Sequence, residues 1–182
     1  MEKKIILSAQ GLTKSYGPIT VLDHVSVDFR EGEIHALIGE NGAGKSTLCK
    51  ILSGAITPES GSIVTGGQTS PSLTPIKAKA AGIGMVYQEF NLVPELSICE
   101  NLFVGKEIRR GPLIDSKAML QRSRAVFADM GVNIDCQAKI KDISVAYCQL
   151  VEIAKALLEE SKLLILDEPT APLTNAEIDI LF

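Results

Sequence analysis

Nine consecutive residues have the types and the spacing of a loop that binds phosphate: Gly39-Glu40-Asn41-Gly42-Ala43-Gly44-Lys45-Ser46-Thr47. They fit the pattern G-x-x-x-x-G-K-[ST], in which glycines let backbone N–H groups turn toward phosphate oxygens and the following helix start adds partial positive charge. In this pattern the Lys45 ammonium can bridge the β- and γ-phosphates, the Ser46 hydroxyl can ligate Mg²⁺, and Thr47 is placed to reach the α-phosphate. The loop therefore predicts a nucleotide-binding site, and a glycine-rich turn without a ligand is the alternative.

Two carboxylates follow a short aliphatic segment near the other end of the chain. Residues 163–166 read Leu-Leu-Ile-Leu, which predicts a buried, parallel strand, and Asp167 and Glu168 come directly after it. Ligands collect at the carboxyl ends of parallel strands, so Asp167 can meet a Mg²⁺ ion held by Ser46. Glu168 points elsewhere, where it can polarise an attacking water. A solvated acidic turn after a core strand is the alternative.

The elements around these motifs predict an α/β core. Strands are predicted at residues 25–29, 33–38 and 82–88, with 33–38 the more fully buried. A helix should follow the glycine-rich loop and end at Gly54, and another should run over 75–81 after an N-cap at Thr74. The predicted strand at 33–38 and the first helix give the loop the strand–loop–helix setting that its motif requires.

Residues 89–159 have a different pattern and predict a mainly helical lobe that interrupts the core. Ser97 and Glu100 have the spacing of a capping box. Two apolar stripes at helical spacing follow, comprising Met119, Val126, Phe127 and Met130, then Leu150, Ile153, Ala154, Leu157 and Leu158. Gly131 should end the first of these helices.

Composition limits the classes of protein that remain. The chain has 182 residues, 46% of them hydrophobic and 22% charged, which suits one folded domain. A formal net charge of −4 argues against a surface built to hold DNA or RNA. Four cysteines without a CxxC pair and two histidines argue against a structural zinc site, so free thiols are expected. The sequence has no secretory signal and no apolar run of ~20 residues, so we expect a soluble chain.

Three long segments give the chain a resemblance to ATP-binding cassette (ABC) ATPases. Residues 12–63 resemble the opening of such ATPases, and residues 80–107 and 151–182 resemble the sugar-importer branch. The chain is most similar to the first nucleotide-binding half of ribose- and galactoside-type importers. It therefore looks like a fragment or a truncated reading frame.

The resemblance implies a fold class and a domain division. The class is an α/β P-loop NTPase with a RecA-like core, an antiparallel β lobe and an inserted helical subdomain, incomplete at the C-terminus. Residues 1–182 would form one partial nucleotide-binding domain. Its core would comprise 1–88 and 160–182, and its helical subdomain 89–159.

The resemblance also assigns roles to residues outside the loop. Tyr16 matches the aromatic residue that stacks on adenine, and Gln88 matches the residue that touches Mg²⁺ or the attacking water and senses the membrane partner. Asp167 matches the magnesium carboxylate and Glu168 the catalytic base. Ser144 matches the signature-loop serine that binds the γ-phosphate held by the opposite domain of a dimer.

These matches imply an ATPase that uses ATP and Mg²⁺ to energise sugar import. Its partners would be a second ABC ATPase domain in a sandwich dimer, transmembrane permease subunits and, indirectly, an extracellular or periplasmic sugar-binding protein, with no nucleic acid. The protein would be cytoplasmic and peripheral on the inner face of the membrane.

Three departures from the family pattern keep a second function open. In the signature loop Ala146 replaces a glycine and Tyr147 replaces a glutamine, and Pro172 follows the catalytic motif where the family has a small non-proline residue. Both histidines, at 24 and 35, precede the phosphate loop, so the family's switch histidine is absent from this chain. A nucleotide-binding module with little or no hydrolysis is therefore the alternative to a working ATPase. A soluble ABC protein acting on DNA or ribosomes is disfavoured by the negative net charge.

Overall fold

The computed structural model describes residues 3–87, 90–159 and 161–167, which divide into two compact units. The first unit comprises 3–85 and 161–167, and the second comprises 86–87 and 90–159. The described strands and helices, in chain order, are β1 (Ile5–Tyr16), β2 (Ile19–Arg30), α1 (Lys45–Leu52), β3 (Ser60–Thr65), β4 (Gln68–Ser70), α2 (Pro75–Ala80), β5 (Ile83–Val86), α3 (Ile98–Phe103), β6 (Arg109–Arg110), β7 (Leu113–Ile114), α4 (Ser116–Asp129), α5 (Val145–Leu158) and β8 (Leu163–Leu166). A short 3₁₀ turn, Ile140–Asp142, precedes α5.

An antiparallel sheet of four strands dominates the first unit, in the order β2-β1-β3-β4. Strands β1 and β2 form a long hairpin around Gly17 and Pro18, and the positive φ of 59° at Gly17 suits a tight turn. Strands β5 and β8 form a separate two-stranded sheet. The predicted strand at 25–29 lies within β2, the predicted strand at 82–88 contains all of β5, and the predicted strand at 163–166 coincides with β8.

The core of the first unit is aliphatic, as an absence of tryptophan and few aromatics require. One side of β1 and β3 packs against the apolar face of α1. The large side chains of this cluster with almost no exposure are Leu7, Leu12, Ile51, Leu52 and Ile63. Burying five side chains of this size stabilises the unit by about 1.5–3 kcal/mol each before conformational entropy is subtracted.

The predicted buried strand at 33–38 is wrong. These residues form no strand, and Ile34 and Ile38 are 93% and 94% exposed. A strand needs a hydrogen-bonded neighbour as well as an apolar sequence, and no described strand pairs with this segment. The His35 ring of this segment packs near Phe29, with the two ring centroids 5.2 Å apart.

The second unit is mainly helical, as predicted. The Ser97 hydroxyl accepts a hydrogen bond from the Glu100 backbone N–H at 3.2 Å, and the Glu100 carboxylate accepts from the Ser97 N–H at 2.8 Å. This confirms the capping box at the start of α3. Helix α4 ends before Gly131, whose φ of 69° is the left-handed conformation that the sequence predicts there. The small β6–β7 hairpin has too few residues to be predicted from alternation.

The apolar faces of α3, α4 and α5 pack together to form a core of their own. Its most completely buried members are Ile98, Leu102, Phe127, Cys136, Leu150, Val151 and Ala154. Among the described residues, no helix is both long and apolar enough to cross a bilayer.

Candidate functional site

The glycine-rich loop takes the conformation that its glycines permit. Gly42 and Gly44 have φ angles of 86° and 85°, a region that other residues adopt only with strain. Gly44 is the N-cap of α1, and its carbonyl accepts the first helical hydrogen bond, from the Leu48 N–H at 2.9 Å. No side chain caps this helix, so its first N–H groups stay available for a ligand. This is the arrangement expected of an anion-binding loop.

Lys45 folds back over the loop instead of extending into solvent. Its Nζ donates hydrogen bonds to the carbonyl oxygens of Gly39 at 2.8 Å and Glu40 at 2.9 Å. The ammonium is therefore held at the mouth of the loop, beside the backbone that would surround a phosphate. A phosphate group entering the loop would offer the Lys45 ammonium a negatively charged acceptor in place of two neutral carbonyls, so Coulomb attraction would be added to the hydrogen bonds.

Ser46 and Asp167 meet across the first unit. The Ser46 hydroxyl donates a hydrogen bond of 2.8 Å to Oδ1 of Asp167, and 121 positions separate the two residues along the chain. Helix α1 supplies the serine in its first turn, and β8 delivers the aspartate directly after its last residue. The structure thus brings together the hydroxyl and the carboxylate that the sequence names as ligands of one metal ion.

Cys49, one turn along α1 from Ser46, is a neighbour of this pair that sequence reasoning treats as an ordinary free thiol. It is buried and forms no disulfide. Burial, reinforced by the negative charge of Asp167, raises the pKa of the Cys49 thiol to about 11. The thiol is therefore neutral at physiological pH and packs as a small apolar group. No sequence signal marks it, because its environment depends on the distant Asp167.

Tyr16 lies at the end of β1, on the hairpin, and is half exposed. The Lys14 ammonium stands 5.7 Å from the centre of its ring, within the range of a cation–π contact. Among the described residues, no hydrogen bond or ring contact joins Tyr16 to residues 39–47. Its role as an adenine platform therefore stays a prediction.

Ser144 belongs to the second unit and caps α5. Its Oγ accepts a hydrogen bond from the Tyr147 N–H at 3.4 Å. Ala146 is buried in the first turn of this helix, whereas Val145 is exposed. The predicted signature segment is thus a capped helix start, and its role toward a phosphate of another domain stays a prediction.

Gln88, Glu168 and Pro172 lie outside the described residues, so their predicted roles stay predictions.

The second unit contains a further ionisable group that the sequence does not single out. Glu152 is buried in α5, and its Oε1 accepts a hydrogen bond of 2.6 Å from the Asn91 N–H. Burial raises the pKa of this carboxyl, against the lowering effect of Lys155 and of the Asn91 hydrogen bond.

A family model and curated sequences match this chain over most of its length. The model described as ABC transporter matches residues 22–171. The chain is 48% identical over 177 residues to the ribose import ATP-binding protein RbsA of Chromobacterium violaceum, covering 97% of this chain and 35% of that protein. It is 42% identical over 181 residues to a putative ribose/galactose/methyl galactoside import ATP-binding protein of Agrobacterium fabrum, covering 100% of this chain and 36% of the relative. The chain thus spans about a third of the length of these relatives.

Solved structures share the fold. A nucleotide-free ATP-binding cassette from an ABC transporter superposes with a TM-score of 0.82 at 24% identity, covering 98% of this chain and 74% of the other. The ATP-binding cassette MJ0796, solved as a dimer in a post-hydrolysis state bound to ADP and Pi, superposes with a TM-score of 0.80 at 26% identity, covering 96% and 79%. These likenesses confirm the predicted α/β P-loop NTPase class of an ATP-binding cassette.

Proposed function

This chain belongs to the ABC transporter family, and we propose that it is the ATP-binding part of an ATPase that energises the import of a sugar. Its relatives over nearly the whole chain are named as ribose or ribose/galactose/methyl galactoside import ATP-binding proteins. The chemistry of the proposal lies in the first unit, where the loop and the strand-end aspartate meet.

The observation that carries the proposal is the 2.8 Å hydrogen bond from Ser46 to Asp167. With 121 positions between them, this hydroxyl and this carboxylate are brought together by the fold of the first unit and not by local chain geometry. Both are partly buried, so their contact is screened from solvent. The glycine-rich loop has the conformation of a phosphate-binding loop, and the Ser46 hydroxyl and Asp167 carboxylate lie beside it. This combination supports the proposal that the site binds a metal–nucleotide complex.

The residues present fit Mg²⁺. Hydroxyl and carboxylate oxygens are hard ligands, and Mg²⁺ characteristically takes one or two protein oxygens together with phosphate oxygens and waters. Phosphate oxygens of the nucleotide and waters would supply the remaining ligands. Ser46 and Asp167 would hold the ion, and when bound it would neutralise charge on the β- and γ-phosphates.

The chain's own residues would do the rest of the work by positioning. The loop's N–H groups and the Lys45 ammonium would bind and orient the phosphates, with Glu40, Asn41, Ala43 and Thr47 contributing backbone or hydroxyl contacts. Tyr16 would stack on the adenine. Glu168 would orient and polarise the attacking water, and Gln88 would touch Mg²⁺ or that water and sense the membrane partner.

The proposed partners follow from the relatives and from the signature segment. A second ATPase domain would complete the site through its Ser144, since the related cassette MJ0796 forms a dimer. Permease subunits would couple the dimer to a sugar pathway supplied by an extracellular or periplasmic binding protein. The complex would work on the cytoplasmic side of the membrane.

Equilibrium binding and turnover measurements on purified chain test the nucleotide site. With ATP and Mg²⁺, Lys45→Ala should weaken ATP binding by about 100-fold, because the loop loses its charged contact to the phosphates. Glu168→Gln should retain binding and stop ADP formation above the uncatalysed rate. The matched control is Lys50→Ala, which removes an exposed lysine from the last turn of the same helix and should bind ATP normally.

The possible outcomes distinguish failure of the proposed nucleotide site from failure of the proposed ATPase activity. Tight ATP binding by the Lys45→Ala variant would overturn the assignment of residues 39–47 as the nucleotide site. Binding with turnover that Glu168→Gln leaves unchanged would remove the catalytic assignment and favour a nucleotide-binding module.

A further inference from the structure

The first unit contains a cavity of about 920 Å³ that shares no lining residue with the loop at 39–47 or with Asp167. It lies between the start of β1, the turn that joins β3 to β4, and helix α2, with residue 162 closing one side. Its volume falls within the range of cavities that hold small organic ligands. None of the described residues of the proposed nucleotide site lines this space.

Three lysines line this cavity: Lys4 just before β1, Lys77 on α2, and Lys162 just before β8. Among the described residues, none of their ammonium groups forms an ion pair. Of the described residues that line the cavity, Glu31 alone has a carboxylate. This excess of positive charge stands out because the whole chain has a net charge of −4. Three lysines against one glutamate give the lining an excess of positive charge, which creates a local potential that favours a negatively charged ligand.

The cavity wall between these lysines is apolar. Leu73 is buried, Ile6 is partly buried, and both belong to the lining together with Ala81. Gly66 and Gly67 form the hairpin turn on another side, both with positive φ, and no side chain covers them. A ligand that fits this environment needs a multiply charged head near the lysines and an apolar body against the aliphatic wall.

We propose that this cavity binds an organic phosphate, a phosphate monoester with an apolar or planar body. A phosphate dianion offers several acceptor oxygens to ammonium groups approaching from different directions, which suits lysine as a binding group. A carboxylate would satisfy fewer of the three. The cavity volume leaves room for a body beyond the head group. The ligand would occupy this cavity independently of ATP at residues 39–47.

Phenyl phosphate is the probe that tests the proposal, with phenol and inorganic phosphate as comparison compounds. Two-dimensional amide spectra of the whole chain report each site separately, because Gly66 and Gly67 line the cavity while Gly42 and Gly44 lie in the nucleotide loop. Saturable shifts at Gly66 and Gly67 with phenyl phosphate, at least about fivefold tighter than with either comparison compound, are expected. Binding should weaken as salt is raised.

Variants that remove positive charge from the cavity lining provide the second test. Lys77→Met and Lys162→Met keep an unbranched apolar stem and remove the ammonium, which matters at position 162 because its stem lies over Gly82. Together they should weaken phenyl phosphate binding by about tenfold or more. Lys117→Met, which changes an exposed lysine in the second unit, is the matched control and should leave binding unaltered.

Three results would overturn the proposal. The first is a spectrum in which shifts are confined to residues 39–47 or are absent at probe concentrations up to about 10 mM. The second is equally tight binding of a comparison compound. If phenol bound as tightly as phenyl phosphate, the charged head would contribute nothing, and if inorganic phosphate did so, the apolar body would contribute nothing. The third is unchanged binding in the Lys77→Met, Lys162→Met double variant when its thermal melt matches the parent's.

Discussion

Gly44 lies directly against the backbone of Val21. A Cβ built at position 44 would overlap the Val21 carbonyl oxygen and stand 2.9 Å from Cδ2 of Leu22. Glycine at position 44 is therefore needed for two reasons. It adopts a left-handed φ of 85°, and its lack of a side chain lets the start of α1 pack closely on β2. The loop is fixed to the sheet at this point.

Gly44→Ala should therefore lose both stability and nucleotide binding. We expect the free energy of unfolding to fall by about 3 kcal/mol, from the left-handed conformation and from overpacking together. Denaturant melts measure the first effect, and titration with a fluorescent ATP analogue measures the second. Gly17→Ala is the matched control, since position 17 also has a positive φ but open space around it, and should cost about 1 kcal/mol without affecting ATP. Equal losses at the two positions would contradict the packing argument.

Ser46 and Asp167 should act as one unit in metal-dependent binding. Each of Ser46→Ala and Asp167→Asn should weaken ATP binding about tenfold in Mg²⁺, and much less in EDTA, because each removes an oxygen ligand. Calorimetric titration of the wild type, both variants and the double variant forms a double-mutant cycle. The double variant should be only slightly weaker than either single one, because the residues share one ion and one hydrogen bond. Fully additive losses in Mg²⁺, with the same losses in EDTA, would argue against a shared metal site.

The sequence predicts local features of this fold well, because short-range chemistry determines them. Thr74 accepts a hydrogen bond from the Lys77 N–H as an N-cap, and Gly54 has the positive φ of a helix C-terminus. The meeting of Ser46 with Asp167 follows from motif order and the rule that ligands collect at strand ends. What the sequence does not predict is long-range burial, such as the burial that raises the pKa of the Cys49 thiol. The cavity beside α2 is another such feature, because its three lysines are far apart along the chain.

The predicted buried strand at residues 33–38 is wrong for the same reason, because burial depends on long-range contacts. This difference leads to a third prediction. Ile34 and Ile38 are almost fully exposed, so Ile34→Ser and Ile38→Ser should change the free energy of unfolding by less than about 0.5 kcal/mol. Removing two exposed isoleucines should also lower binding of a hydrophobic dye and raise solubility. Equilibrium denaturation and dye fluorescence measure both effects.

Ile63→Ser is the matched control for this experiment. Ile63 is fully buried in the core of the first unit, so the same change in side chain should cost about 3 kcal/mol or more. A comparable loss from Ile34→Ser or Ile38→Ser would mean that the segment is buried in solution, as the sequence pattern alone predicts.

Glu152 and Glu100 should show opposite pH dependences. Burial raises the pKa of Glu152, so its ionised form is disfavoured in the folded chain, and stability falls as pH rises from the unfolded pKa through the raised folded one. The Ser97 hydrogen bonds lower the pKa of Glu100, so it stabilises the fold above the unfolded pKa, and this contribution is lost as pH falls through the folded pKa. Glu152→Gln should therefore raise the melting temperature at pH 7, and Glu100→Gln should lower it.

The difference for Glu152→Gln should shrink as pH falls through the raised folded pKa of Glu152 toward its unfolded pKa, and the difference for Glu100→Gln should shrink as pH falls from the unfolded pKa of Glu100 through its lowered folded pKa. Thermal melts at a series of pH values measure these differences, and each variant is the control for the other because both changes replace a carboxylate by an amide in the second unit. In the Glu152→Gln variant the Asn91 N–H can still donate to the side-chain amide oxygen, so a gain in stability reflects the removed charge and not a changed hydrogen bond. A pH-independent difference at position 152 would show that packing, not ionisation, governs this site.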